Sequence, residues 1–203
     1  RLADANQEAE LHRWLDGAAP LDWAGPRVTP DEWFFITTLY GEMTLDGQRT
    51  HIRKFYPLFV ELAQRDIRKF SPALTADWQL RSSWMKHRLS RMADILNQRH
   101  LTMTEYVSNL QELEQNATAL NPMPALDAII ADHRATGWKT LSVFVRDCVG
   151  GNCFPIDSRV KKELVRWELP HDERDERLLV SLSLATGRNP RQVARMFYAA
   201  GGE

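Results

Sequence analysis

Lys139 and Asp157 are the residues whose types and placement could do chemistry. They stand near the two ends of ATGWKTLSVFVRDCVGGNCFPIDSRV, residues 135–160, a segment that is otherwise mostly apolar. Lys139 follows a glycine and falls in the first turn of a predicted helix, where the helix dipole disfavours a positive charge. A lysine partly desolvated there would offer a neutral amine as a nucleophile; a surface lysine with its stem laid along the protein is the other reading. Asp157 precedes SRVKKELVRW and is a good N-cap for that helix. It also follows the apolar CFPI, which should bring the chain back beside Lys139, where a carboxylate could stabilise positive charge on a sugar or deprotonate a nucleophile.

The elements that must position this pair are short. ALDAIIADH (125–133) is a helix with an apolar stripe, RATG leaves room only for a tight turn, and WKTLSVFVRDCV begins the next helix at once. This reads as a helix-hairpin-helix over 125–149. Its turn, through Thr136 and Gly137 to Trp138, would leave unpaired N–H groups at the head of the second helix, suited to a phosphate. An ordinary turn between two helices, with glycine as C-cap, is the alternative.

The pattern is helical throughout. TPDE (29–32) is a capping box with Thr29 as N-cap, Pro30 at the first helical position and Glu32 reaching back. Amphipathic segments follow at roughly 47–66, 84–99, 103–115, 123–133, 138–149, 157–168, 173–186 and 190–199. Thr102 with Glu105 forms a second capping box, and Asn189, Pro190 and Gln192 mark another start. No segment sustains period-2 alternation, so the fold class is all-α, compact and two-lobed. Lobe A is placed at about 30–125 and lobe B at 1–29 plus 126–203, in a single domain with a cleft between the lobes as the place for chemistry.

With 203 residues, 43% of them hydrophobic, the chain can bury one substantial core or two small lobes. It contains no run of about eighteen apolar residues and its first residues are polar and acidic, so a membrane partner is not expected. Two cysteines, Cys148 and Cys153, exclude a disulfide framework or a four-cysteine metal cluster within the chain, and no metal site is expected. The net charge is −1, yet basic residues gather at 49–54, 81–91, 159–166 and 187–195, and acids at 171–177. If the basic stretches share a face they can hold phosphate; otherwise they are solvated surface.

Residues 125–160 resemble the helix-hairpin-helix DNA glycosylases of the HhH-GPD superfamily, whose hairpin reads LPGVG-x-KT and is followed by an apolar helix and a VDTH segment. Lys139 falls on the family's lyase lysine and Asp157 on its catalytic aspartate, at a separation, 157 − 139 = 18, that the family uses. FFITTLYGEMTLDGQRTHIRKFYP (34–57) is similar to the early region of endonuclease III-like members, and SSWMKHRLSRMADIL (82–96) to a later family helix. Ala135 replaces the first hairpin glycine, Glu42 stands at the family's duplex-inserting glutamine, and Arg159 replaces the His of VDTH. The cluster cysteines of endonuclease III are missing, and the run from Lys139 to Asp147 looks more like the 8-oxoguanine DNA glycosylase branch.

The resemblance implies a bifunctional DNA glycosylase/AP lyase of base excision repair, acting as a monomer on double-stranded DNA with a damaged base or abasic site. It would be cytoplasmic, nucleoid-associated, or nuclear. No cofactor is expected beyond a monovalent cation that the hairpin could hold. Lys139 and Asp157 would be catalytic; Thr136, Gly137, Trp138, Glu42, Lys86, Arg88, Arg159 and Arg191 would contact DNA; Trp33, Phe34 and Phe35 could stack on a flipped base. The alternatives are a non-catalytic helix-hairpin-helix DNA-binding module and a monofunctional glycosylase using water as nucleophile.

Overall fold

The computed structural model describes residues 28–39, 45–70, 83–134 and 136–201. Glu42 and Ala135 therefore lie outside the described residues. All regular elements among those described are helical, in agreement with the all-α reading. The backbone divides into two compact units, Arg1–Thr104 and Glu105–Glu203.

The first unit contains α1 (Pro30–Leu39), α2 (Leu45–Ala63), a 3-10 turn (Ile67–Lys69) and α3 (Ser83–Arg99). α1 starts as the sequence dictates: the Thr29 N–H donates to Glu32 Oε2 at 2.8 Å and the Glu32 N–H donates to Thr29 Oγ1 at 3.3 Å. Glu32, Phe34, Phe35, Ile36, Thr37, Thr38 and Leu39 are all buried. The threonine hydroxyls remain satisfied by donating back to carbonyls of their own helix, Trp33 and Phe34 for Thr37 and Phe35 for Thr38. Phe35 stacks on Phe59, with centroids 4.4 Å apart and planes within 5°, while Tyr56 meets both rings edge-on and Phe70 closes the cluster. Phe34 and Phe35, 1% and 0% exposed, are thus core. At that burial they offer no face to a flipped base.

The second unit contains most of α4 (Met103–Glu114), then α5 (Pro124–Asp132), α6 (Trp138–Phe144) with a π-turn continuation (Val145–Val149), α7 (Ser158–Arg166), a 3-10 turn (Glu173–Asp175), α8 (Glu176–Ala185) and α9 (Pro190–Ala200). The division between Thr104 and Glu105 falls earlier than the expected boundary near residue 125. Bonds made by α4 give the reason. Tyr106 donates to Asp132 at 2.9 Å, Gln111 Nε2 to the Val149 carbonyl at 3.2 Å, and Glu114 accepts from the Ala125 and Asn152 amides. α7 packs on α9, and their approach is close enough that a Cβ on Gly201 would lie 2.1 Å from the Arg159 carbonyl oxygen.

Candidate active site around Lys139 and Asp157

α5 ends at His133, whose N–H returns to the Ile129 carbonyl at 2.8 Å. His133 and Thr136 are buried, joined by a 2.6 Å contact between Thr136 Oγ1 and His133 Nδ1, and the Thr136 N–H donates to the His133 carbonyl. The turn is thereby held from within, and Thr136 is a turn-locking residue rather than a surface group. Gly137 caps α6 with φ −61° and ψ 145°, an extended conformation open to any residue. The C-cap role considered for it is filled instead by His133.

Two expectations change at the head of α6. The Lys139 N–H donates to Glu173 Oε1 at 3.1 Å, so a carboxylate already occupies the amide read as open to phosphate. Lys139 itself is exposed rather than partly desolvated, and its ammonium forms no ion pair among the described residues. Trp138 is half-buried, with its indole N–H given to Glu176 Oε2 at 2.6 Å.

Asp157 heads α7 as its N-cap: Oδ1 accepts from the Arg159 N–H at 3.0 Å and the Val160 N–H at 2.8 Å. Both bonds fall on one oxygen. Oδ2 accepts none among the described residues, so capping leaves half of the carboxylate for other work. Arg159 is exposed and lies over the Tyr198 ring at 5.0 Å.

Between the two helices runs a strap, residues 150–157, without regular structure. It begins at Gly150, whose φ of +83° is left-handed backbone that glycine adopts without steric cost. The strap's amides need acceptors, and the buried Glu176 and half-buried Glu114 supply them. The Asn152 N–H donates to Glu114 Oε1 at 2.6 Å and the Phe154 N–H to Glu176 Oε1 at 2.7 Å. Glu176 also accepts from the Ser142 hydroxyl. Burial pushes both carboxyls above the ordinary carboxylate range, while the bonded N–H and O–H groups pull them back.

Beneath the strap, Arg146 is 9% exposed and bonds Asp147 through Nε and Nη2, both at 2.8 Å. Burial alone would pull the guanidinium down, but the Asp147 carboxylate, with smaller contributions from Cys153 and Asp157, holds it above its ordinary value. Arg195 approaches the same aspartate at 3.6 Å. Burial, then the Glu176 and Glu114 charges, push the fully buried Cys153 thiol well up, which makes it an inert core group.

Of the other predicted DNA contacts, Arg191 reaches the strap, with Nη1 3.4 Å from the Gly150 carbonyl. Lys86 and Arg88 are half-buried on α3 in the first unit, and desolvation lowers the Arg88 pKa. Trp33 is half-buried. Among the described residues no cluster of His, Cys, Asp and Glu could hold a metal ion, and no helix is long and apolar enough to cross a membrane.

Glu176, Glu114 and Arg146 were not singled out from the sequence. For Glu176 a signal existed: it begins the buried series Glu176, Leu179, Val180, Ser183, at the 3-4 spacing of one helix face. The acid-rich run around it masked that signal. No family model, curated protein or solved structure matches the chain.

Proposed function

We propose that the chain is a bifunctional DNA glycosylase/AP lyase that excises an oxidised base, with 8-oxoguanine as the preferred lesion. The observation that carries the reading is the character of the pair: Lys139 is an exposed, unbridged amine at the head of α6, and Asp157 heads α7 with Oδ2 unbonded among the described residues. The exposed amine is open to attack a sugar carbon and the second carboxylate oxygen is open to take a proton, which is what this chemistry asks of each.

In this mechanism Arg159 and Arg191 contact phosphates, and the damaged nucleotide leaves the stack at a cost of a few kcal/mol. Lys139 passes a proton to Asp157 directly or through water, and its neutral Nζ attacks C1′. The C1′–N bond breaks with its electron pair leaving on the base, which takes up a proton. The proton held on Asp157 passes to the departing base, and the carboxylate so restored stabilises the positive charge that develops on the sugar. Opening of the sugar ring gives an iminium between Nζ and C1′; loss of a C2′ proton then expels the 3′-phosphate oxygen and nicks the strand.

Borohydride trapping on labelled duplexes carrying 8-oxoguanine, thymine glycol, uracil or an abasic site tests this. A covalent adduct is expected with the wild type and none with Lys139→Gln, while Asp157→Asn should slow adduct formation by about 100-fold or more. Duplex binding without adduct or base release would leave a DNA-binding module. Free base released without adduct would leave a monofunctional enzyme in which water attacks.

A further inference from the structure

We infer that Glu176 is a positioning residue: its carboxylate ties the helix that carries Lys139 to the strap that delivers Asp157, so that one buried group sets both ends of the pair. This rests on the reading above for its catalytic consequence, though not for the tie itself.

The tie is geometric. Oε2 takes the Trp138 indole N–H at 2.6 Å, one residue before Lys139. Oε1 takes the Ser142 hydroxyl, one turn further along the same helix, and the Phe154 N–H at 2.7 Å, three residues before Asp157. Trp138 and Ser142 are i and i+4, so their donors lie on one face of α6. The carboxylate meets that face at two heights and fixes the rotation of the helix about its axis as well as its distance. The other face of the same turn is left to Lys139. On the strap side, no helical ladder holds Phe154, and the segment from Phe154 to the cap at Asp157 is too short to absorb a shift at one end without moving the other.

Glu176 is 1% exposed, so it acts through its neighbours. Burying a carboxylate is unfavourable unless donors surround it. Three donors, drawn from two segments of irregular or short structure, are an expensive way to fill core that an apolar side chain could fill. The arrangement does have a use where two side chains must be held in register, because a displacement of about 1 Å at a reacting centre costs on the order of 100-fold in rate.

Glu176→Gln keeps the shape but turns one accepting oxygen into a donor, so either the Trp138 link or the Phe154 link must fail. Trp138→Phe removes the Trp138 link from the other side. Single-turnover adduct formation on an abasic duplex and duplex affinity should be measured for the wild type, both single variants and the double variant. Glu176→Gln is expected to slow the adduct step about 10- to 100-fold with affinity changed less than about threefold. Where Glu176→Gln loses the Trp138 link, the double variant should be no slower than the slower single variant, because both then cut one link. A rate within about threefold of wild type in folded Glu176→Gln overturns the inference, as does equal loss in rate and affinity.

If the wild type forms no adduct, the proposed chemistry falls, and the tie is decided by amide and indole resonances of the DNA-free protein. Movement of the Arg159 and Val160 amides, which report Asp157, together with the Trp138 indole in Glu176→Gln supports the tie; unmoved Arg159 and Val160 amides overturn it. Should Glu176→Gln not fold, Ser142→Ala removes a single donor and is read by the same two measurements.

Discussion

Glu32 in the first unit and Glu176 in the second are each 1% exposed, yet they serve different ends. Glu32 closes the first turn of its own helix and takes the Tyr56 hydroxyl at 2.7 Å, inside a cluster of stacked rings. Burial, followed by the Glu32 bond and charge, drives that hydroxyl's pKa far above its ordinary value. Glu176, with Glu114, instead accepts amides of a strap that no helix or strand supports. The contrast shows what a buried carboxylate is for. Where aromatic packing already specifies the arrangement it completes a local motif, and where the chain must run irregularly through the interior it supplies the missing ladder.

The comparison can be broken by four substitutions. The largest effect belongs to the aromatic core: Phe35→Ala should cost about 3 to 5 kcal/mol in urea unfolding, since it deletes the ring that meets three others. A loss below about 1.5 kcal/mol would mean that packing does not dominate the first unit. In the second unit Glu114→Ala should cost about 2 to 3 kcal/mol, mostly by orphaning the Asn152 and Ala125 amides. Exchange of the Asn152 amide should accelerate in parallel, and unchanged protection there would remove the carboxylate's supporting role.

Asp31 sharpens the contrast by its pH dependence. Its Oδ1 accepts the Ile67 N–H at 2.9 Å. Burial, reinforced by Asp66 and opposed by the Ile67 bond and Arg68, raises its pKa from 3.8 to about 6. In the window between those values the folded state binds a proton that the unfolded chain does not, so this group's contribution to stability falls as pH rises through about 6. Asp31→Asn keeps the acceptor without the charge. It should stabilise the protein by about 1 to 2 kcal/mol at neutral pH, with the gain shrinking toward pH 4; a gain independent of pH would contradict the assignment. The smallest effect is expected at Asn189, whose side chain caps α9 by accepting the Arg191 and Gln192 amides at 3.0 and 3.4 Å. Asn189→Ala should lower the unfolding free energy by about 1 kcal/mol, and no loss would show that α9 is held by its packing on α7 and α8 without the cap.

Helix starts were legible because their determinants lie within three residues of one another: Thr29 with Glu32, Asn189 with Arg191 and Gln192, and Asp157 with Arg159 and Val160. The aromatic residues at 34 and 35 were less so, since a ring at a helix head reads alike as pocket wall or core until its partners at 56, 59 and 70 are known.

At the candidate site the division is the same. Local spacing by itself determined that Lys139 opens one helix and Asp157 caps another, because a cap or a first-turn position depends only on immediate neighbours. Only the tertiary structure decided that Glu173 takes the Lys139 amide, that Glu176 leaves the acidic run for the interior, and that Glu114 supports the strap. These contacts join residues 22 to 38 positions apart, and a carboxylate's role over such distances depends on which unpaired donors folding brings to it, which nothing in its own neighbourhood specifies.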